Sequence, residues 1–382
     1  MKKFFYLYFI IYYVFIIIYA NYLNIGDFEV NYLYQNYPLS LFENKILSIF
    51  GYTNLSLRLP SIILSIFSIF LYYKISQKYL KQEKDVYLST IIFSLLPGFI
   101  IATFLFNKSI YLIFMVLFFI YCFLYYRFFS YILLLVYTIL NYSFMFLYLA
   151  LIFYSIYKKD TRFLIYSIIL FAINANYFNY DIQGHPKGHF IDIILVYSAI
   201  FSPFVFFYFI HSLIRISKKP TLLWFISTSA LLFSILLSFR QKIKIDDFAP
   251  FVIVSVIFMV AVFLNGYRVR LKIFRPSYRN LFIFLFSTLI LFDFILLTTP
   301  YFFNNKIFTQ FRYSKNIATI LKNKNINYIR CNDTTLCKKL YFYGLKKGDK
   351  YFVYFDKNSK KVSILHNNKK IYNFYVSKLN KK

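Results

Sequence analysis

Cysteine is scarce in this sequence, which has only three among its 382 residues. Cys122 lies inside an apolar run, where we expect it to be an unreactive packing residue. Cys331 and Cys337 lie six positions apart in a polar tail, in the stretch CNDTTLC. Two cysteines without further paired ligands are too few for a zinc site. If the tail is exported, we predict that they form a small disulfide loop.

Glycine is also scarce, with eight residues, and none of them belongs to a nucleotide-binding pattern. The chain has no P-loop and no glycine-rich phosphate turn after a strand. In both patterns glycine lets backbone N–H groups approach phosphates closely. Their absence argues against an enzyme that uses a nucleotide substrate.

Acidic residues are few, because 14 Asp and Glu stand against 44 Lys and Arg, giving a net charge of +30. In a soluble protein such a charge would suggest nucleic acid as a partner. Here the cations lie in short loops and in the tail, and no nucleic-acid module is visible. We interpret them as topology signals and as contacts with anionic lipid head groups.

Apolar residues, in contrast, make up 60% of the chain, and the mean hydropathy is +0.58. A soluble domain of this length could not bury so much apolar surface, so lipid must be the solvent for most of it. Each run of about 15–25 apolar residues is a candidate membrane crossing. The runs lie near residues 4–20, 57–73, 86–105, 109–126, 130–157, 162–175, 189–212, 221–239, 248–266 and 280–300.

The distribution of basic residues predicts which loops share a side of the membrane. The run at 130–157 is too long for one crossing, and Asn141-Tyr142-Ser143 in its middle predicts a hairpin turn, so about eleven helices result. The first run resembles a signal peptide, but Ile18 is too bulky for cleavage after Ala20, so we expect a retained helix. Short basic loops then fall on the cytoplasmic side, at 74–85, 127, 158–162, 215–219 and 267–279. The outer side holds residues 21–56, 105–109, 176–190, 240–247 and everything after Pro300.

We therefore predict an all-α polytopic membrane protein over residues 1–300, followed by a small basic extracytoplasmic domain at 301–382. The tail carries 19 Lys and Arg against 3 Asp. Alternating stretches at 350–355 and 361–365, around a turn at 344–349, predict strands and hence an α/β or mixed domain.

The first outer loop carries two acids where the membrane boundary begins, Asp27 and Glu29. A carboxylate at this depth can abstract a proton from a hydroxyl or an amine. The alternative interpretation is a solvated carboxylate that caps a helix or lies in its first turn. Arg58 follows at the start of the next helix, where it is a candidate phosphate ligand or an anchor that snorkels to the interface.

Two further outer loops carry clustered cations. Arg240, Lys242 and Lys244 lie where topology disfavours positive charge, so we predict that they bind a phosphate at head-group level, Lys242 first among them. Contact with anionic head groups is the alternative. His185, Lys187 and His189 form the other cluster, which we expect to bind a phosphate or a sugar hydroxyl. With no third metal ligand nearby, zinc is disfavoured there.

The order of these motifs resembles a known superfamily. An acidic pair, then Pro38-Leu39, Phe50-Gly51 and Arg58-Leu59-Pro60, is similar to the opening of the GT-C membrane glycosyltransferases. The closest groups are the protein O-mannosyltransferases and the bacterial aminoarabinose transferases that modify lipid A. The segment at 184–190 partly matches their Gly-His-x-x-Pro stretch, and the basic stretch before Pro250 also resembles theirs.

This resemblance implies a GT-C-like fold in the inner (plasma) membrane with its site on the periplasmic side. The donor would be a sugar on a polyprenyl phosphate, such as undecaprenyl phosphate, and the acceptor a lipid, a glycan or a protein. Asp27 would be the catalytic carboxylate, acting as general base on the acceptor, and transfer would invert the anomeric carbon. No cofactor is expected, although a divalent metal is left open.

The chain departs from the family at one turn, 106–109, which lacks the usual second carboxylate beside Ser109. Glu29 could substitute for it, the acceptor could differ, or activity could be lost. Two rival functions therefore stay open. One is a transporter of lipid-linked glycans, whose signature would be polar or broken helices at the midplane. The other is a non-catalytic relative that binds polyprenyl lipids.

Overall fold

The computed structural model describes residues 2–35, 38–178, 189–302, 306–331, 333–354, 361–366 and 369–378. Most of them are helical. The α-helices are α1 (Lys2–Tyr22), α2 (Asp27–Leu33), α3 (Pro38–Phe50), α4 (Asn54–Tyr79), α5 (Glu83–Ser94), α6 (Pro97–Phe104), α7 (Lys108–Tyr125), α8 (Arg127–Leu140), α9 (Phe144–Lys158), α10 (Thr161–Phe178), α11 (Phe190–Phe201), α12 (Pro203–Ile216), α13 (Leu222–Ser238), α14 (Ala249–Ile253), α15 (Val256–Val269), α16 (Arg275–Phe302), α17 (Lys306–Asn323) and α18 (Thr334–Phe342).

The chain divides into two compact units. The first unit comprises Met1–Tyr8, Ile63–Thr103 and Lys108–Ile295. The second unit comprises Phe9–Ile62, Phe104–Asn107 and Leu296–Lys382.

Several helices are long and apolar enough to cross a membrane. Six qualify singly: α1, α4, α7, α10, the α14–α15 stretch and the stretch around α16. Two bent pairs, α5–α6 at 62° and α11–α12 at 99°, raise the count to eight if each pair is one span. The described part of the chain therefore supports a polytopic membrane protein with six to eight candidate spans. Because α8, α9 and α13 are shorter apolar helices, the count of about eleven stays a prediction.

The long apolar run at 130–157 is split, as the sequence predicts. Helix α8 ends at Leu140 and α9 begins at Phe144. Between them, the Ser143 backbone N–H donates to Asn141 Oδ1 at 2.9 Å. This short-range bond from an asparagine side chain is typical of a turn, so local chemistry accounts for the break.

The helices of the first unit bring loops together at two ends. Helix α7 begins at Lys108 and α9 follows Ser143, and both residues contact Asp247. Beyond the other ends of these helices, Arg127 and Asp160 form an ion pair of 3.1 Å. Loops that the sequence assigns to one side of the membrane thus meet each other. Which side each end faces stays a prediction.

The tail in the second unit contains a four-stranded sheet. Its strands, β1 (Tyr328–Cys331), β2 (Lys346–Tyr354), β3 (Lys361–His366) and β4 (Lys369–Lys378), lie in the order β1-β2-β4-β3. The β1–β2 pair is parallel and the other pairs are antiparallel. Apolar residues from α17, α18, the sheet and the segments that connect them form a core: Ile317, Ala318, Leu321, Ile326, Ile329, Leu340, Leu345 and Val353.

Sequence patterning finds two of these strands but places one boundary wrongly. The stretches 350–355 and 361–365 fall largely in β2 and β3. The turn predicted at 344–349 is shorter, because β2 begins at Lys346. Gly344 makes this turn with a φ of +91°, a left-handed conformation that glycine adopts without strain. The predicted separate domain at 301–382 stays a prediction.

Candidate functional site

Asp27 is the first residue of α2, directly after the helix N-cap Gly26. An acid in the first turn is stabilised by the partial positive charge of the helix N-terminus. Its carboxylate forms an ion pair with Lys339 of α18. The Lys339 side chain is 4% exposed and that of Asp27 is 29% exposed. The predicted catalytic carboxylate is thus partly accessible and has a buried cation beside it.

Glu29 and Arg58 form a buried pair in the same unit. The Glu29 carboxylate accepts hydrogen bonds from Arg58 Nε at 3.0 Å and Nη2 at 2.8 Å. It also accepts from the backbone N–H groups of Gly26, at 3.0 Å, and Phe106, at 2.9 Å. The remaining Arg58 N–H groups donate to the carbonyl oxygens of Ala20 at 2.6 Å, Leu23 at 2.5 Å and Asn24 at 3.1 Å.

This network corrects two roles that the sequence suggests. All five N–H donors of Arg58 have protein acceptors, and the residue is 0% exposed, so it is not placed to bind a donor phosphate. Glu29 is 1% exposed and accepts four hydrogen bonds, so it is not placed to act as a base on an acceptor. The pair fixes the first loop against the start of α4.

Helix α18 is held on the first loop by several contacts within the second unit. The Tyr343 hydroxyl accepts from the Ile25 backbone N–H at 3.1 Å and donates to Asn54 Oδ1 at 2.7 Å. Burial raises the pKa of Tyr343 to about 12. At the start of α18, Cys331 and Cys337 form a disulfide, with 5.6 Å between their Cα atoms. No pattern in the sequence indicates that Lys339 and Tyr343 reach this loop.

A second polar cluster lies in the first unit, around Asp247. This residue is 4% exposed and forms an ion pair with Lys108. Its carboxylate also accepts from Ser143 Oγ at 2.7 Å and from the Tyr142 hydroxyl at 2.5 Å. A buried charge is tolerated when it is paired and hydrogen-bonded in this way. The start of α7 and the turn at 141–143 are thereby tied to the loop at 240–247.

Asp246 brings a carboxylate to the turn that lacks one in sequence. Ser109 Oγ donates to Asp246 Oδ1 at 3.1 Å, across 137 positions of the chain. Burial raises the pKa of Asp246, while Ser109, Lys108 and Lys244 act in the opposite direction. The adjacent acids Asp246-Asp247 inside a basic loop, and the lone Lys108 at the start of an apolar run, are the sequence signals that could have found this cluster.

The basic loop itself is solvent-exposed. Arg240, Lys242 and Lys244 are all exposed, between the end of α13 and the 3₁₀ turn Ile245–Asp247. These side chains are therefore available to an anion in the surroundings. The half-buried Asp246 and the buried Asp247 follow after Ile245, so exposed cations and shielded acids share one short segment.

His189 and Phe190 contact the end of α13, just before this basic loop, in the first unit. The His189 backbone N–H donates to the Ser238 carbonyl at 3.1 Å, and the Phe190 and Phe239 rings stack with 5.1 Å between their centres. The His189 ring contacts Asp192, with 3.1 Å between Nδ1 and Oδ2. The other two predicted ligands of this loop, His185 and Lys187, lie outside the described residues.

The described residues contain no group of three or more His, Cys, Asp or Glu side chains that could hold a metal ion. Asp27 belongs to the second unit, and the loop at 240–247 belongs to the first. That these segments face one common aqueous surface stays a prediction.

Comparison with known proteins adds no assignment to this geometry. No protein-family model, no curated protein and no solved structure matches the chain. The resemblance to GT-C glycosyltransferases consequently rests on the order of the motifs in the sequence. Any function proposed for the chain depends on its own residues.

Proposed function

We propose that the chain is an integral membrane glycosyltransferase that transfers a sugar from a polyprenyl-phosphate carrier to a lipid, a glycan or a protein on the outer face of the membrane. One observation carries the proposal. A loop that follows one apolar helix and precedes a candidate membrane span has three exposed cations, Arg240, Lys242 and Lys244, just before the half-buried Asp246 and the buried Asp247. Cations at this depth suit the phosphate of a lipid carrier, because charge-assisted hydrogen bonds to phosphate are strong.

Asp27 is the group that we assign to proton removal. An acceptor hydroxyl attacks the anomeric carbon and its proton passes to the Asp27 carboxylate. The bond between the anomeric carbon and the phosphate oxygen breaks on the opposite face, and the polyprenyl phosphate leaves with the electron pair. This single displacement inverts the anomeric centre. The loop cations stabilise the charge that grows on the leaving phosphate.

The surroundings of Asp27 support this role. Its side chain is 29% exposed, so an acceptor has access to the carboxylate. Lys339 fixes its orientation, as a general base requires for productive contact. Glu29, the other acid of this loop, is fully occupied by Arg58 and by backbone N–H groups. Asp27 is therefore the better placed of the two acids.

A second candidate function is transport of a lipid-linked glycan, and one feature favours it. Both bent helix pairs are broken beside a proline, Pro97 in α5–α6 and Pro203 in α11–α12. A Cβ added at Gly98 would lie 2.5 Å from Ile200 Cγ2, so the two breaks pack against each other. Ser202, between α11 and α12, has a φ of +67°. Broken helices in contact are a feature of secondary transporters.

The two functions are separated by an Asp27→Asn variant in cells. Surface glycolipids and glycoproteins are compared by mass spectrometry with the wild-type chain, without it, and with the variant. The transferase proposal expects one mass increment that disappears both without the chain and in Asp27→Asn. Glu83→Gln is the matched control, since Glu83 is an exposed acid in the first turn of α5.

Two other results contradict the transferase. If the increment depends on the chain but survives in Asp27→Asn, transport or lipid binding explains the phenotype better. If glycans are the same with and without the chain, glycan transfer is removed altogether.

A further inference from the structure

Asp246 and Asp247 are neighbours in sequence with different surroundings. Asp247 is buried, paired with Lys108 and bonded by two hydroxyl groups. Such a carboxylate is committed to the fold. Asp246 is half-buried, accepts from Ser109 and begins where the exposed cations of the loop end. It is the acid of the pair that a ligand on the basic loop would meet.

Four groups face Asp246 from the packed elements. Ser109 and Lys108 come from the start of α7, while Asp247 and Lys244 come from its own loop. An anion bound by Lys244 would lie beside the Asp246 carboxylate. Two adjacent negative groups repel each other, and the repulsion is strong where water is partly excluded. A phosphate on this loop therefore conflicts with an ionised Asp246.

We propose that Asp246 contacts the bound phosphate as a neutral carboxylic acid, taking up one proton on binding and donating its O–H to a phosphate oxygen. The inference rests on the phosphate site of the proposed function. It adds to that site a residue whose protonation state controls how tightly the phosphate binds. The proton comes from solvent and returns there when the phosphate leaves, so no other bond is made or broken.

Burial favours this protonation. It raises the pKa of Asp246 in the free protein, because desolvation penalises the charged form. A phosphate anion nearby raises the pKa further, since like charge also disfavours ionisation. When pH rises above the pKa that Asp246 has without bound phosphate, Asp246 must take up a proton each time a phosphate binds. The association constant then falls by about tenfold for every pH unit.

The test measures phosphate binding by the purified full chain between about pH 5 and pH 8, where phosphate monoesters also titrate. The probe is undecaprenyl phosphate in vesicles of neutral lipid, with inorganic phosphate as a second arm. The compared proteins are wild type, Asp246→Asn and the control Glu83→Gln. Because Asn is neutral and retains an acceptor for Ser109, the ratio of the two affinities cancels the ionisation of the probe itself.

The proposal expects the two affinities to converge towards the acidic end of the range, and the advantage of Asp246→Asn to grow towards pH 8 by up to about tenfold per pH unit. Glu83→Gln should follow wild type throughout. A wild-type to Asp246→Asn ratio that is constant with pH would overturn the proposal, and so would absence of binding in both proteins. A pH-dependent ratio with inorganic phosphate alone would overturn the lipid carrier as the ligand.

A second variant, Ser109→Ala, tests the same proposal without a change at Asp246 itself. Ser109→Ala removes a hydrogen bond that favours the ionised form of Asp246. The fall in affinity should therefore begin at higher pH in Ser109→Ala than in wild type, and an unchanged onset contradicts the proposal. Failure here is distinct from failure of the proposed function. Unchanged cellular glycans would not contradict a pH-coupled phosphate site, and a pH-independent ratio would not contradict a transferase.

Discussion

Arg58 and Glu29 show how a charged residue at a membrane boundary is used by the fold. Both side chains are almost fully withdrawn from solvent, yet every Arg58 N–H group and both Glu29 oxygens are bonded. The desolvation of such a pair is compensated only while both partners are present. The pair joins α2 to α4 and thereby sets the position of Asp27, two residues before Glu29.

Removal of one partner should accordingly be costly. We expect Arg58→Met and Glu29→Gln each to lower the free energy of unfolding by about 3–5 kcal/mol, because each leaves a buried charge or polar group unpaired. The free energy of unfolding of the double variant should fall by less than the sum of the two single losses. Thermal unfolding in detergent of the wild type, the two single variants and the double variant gives these losses of stability. Together the four proteins form a double-mutant cycle.

An exposed ion pair provides the matched control for that cycle. Arg127 and Asp160 have side chains that are 58% and 35% exposed. Their neutralisation as Arg127→Met and Asp160→Asn, which keeps an acceptor for the Phe163 N–H, should cost about 0–1 kcal/mol, as for other surface pairs. Strictly additive losses for Arg58 and Glu29, or losses as small as those of the control, would contradict the structural role.

At the scale of elements, the breaks in two helix pairs are the feature with the clearest consequence. Gly98, at the start of α6, leaves room for Ile200 near the end of α11. A side chain at this position would force one of the two helices to shift. The contact therefore fixes the two bent pairs against each other within the first unit.

Substitution of Gly98 tests this contact. Gly98→Ala places a Cβ 2.5 Å from Ile200 Cγ2, so we expect a loss of about 1–3 kcal/mol from overpacking. Ile200→Ala in the same chain should recover part of the loss, because it removes the opposing atoms. Gly266→Ala is the control, since its new Cβ would meet only the end of Tyr278, at 3.3 Å. Equal effects of Gly98→Ala with and without Ile200→Ala would count against packed breaks.

The sequence predicts what depends on local patterns and misses what depends on distant contacts. The turn at Asn141 follows from its neighbours, and the apolar runs predict most long helices. Pro97 and Pro203 mark the breaks in α5–α6 and α11–α12, but the apolar runs at 86–105 and 189–212 pass through both. Hydrophobic periodicity alone does not indicate that a helix pair is bent by 62° or 99°.

The candidate site shows the same division. Asp27 is recognisable because acids are few in this chain, and Lys242 because cations are disfavoured in loops that are predicted to lie outside. The ion pair of Asp27 with Lys339, and the hydrogen bond between Asp246 and Ser109 across 137 positions, depend on the folded chain. Burial likewise decides that Arg58 is structural, which its position before Pro60 does not reveal. Sequence reasoning therefore locates candidate residues better than it assigns their roles.

At the scale of the whole molecule, the account depends on sidedness. Two segments, the loop of Asp27 and the basic loop at 240–247, must meet the same outer aqueous surface for donor and acceptor to react. The positive-inside distribution predicts this arrangement. The scarcity of cysteine makes it measurable, because Cys122 is buried and the other two cysteines form a disulfide.

The most direct test is labelling of single engineered cysteines in intact cells with a membrane-impermeant thiol reagent. Four exposed positions serve: Lys45→Cys and Lys242→Cys on predicted outer loops, and Lys81→Cys and Lys272→Cys on predicted cytoplasmic loops. We predict that the first two react in intact cells and the last two only after permeabilisation. Labelling of Lys45→Cys or Lys242→Cys only after permeabilisation would contradict the account.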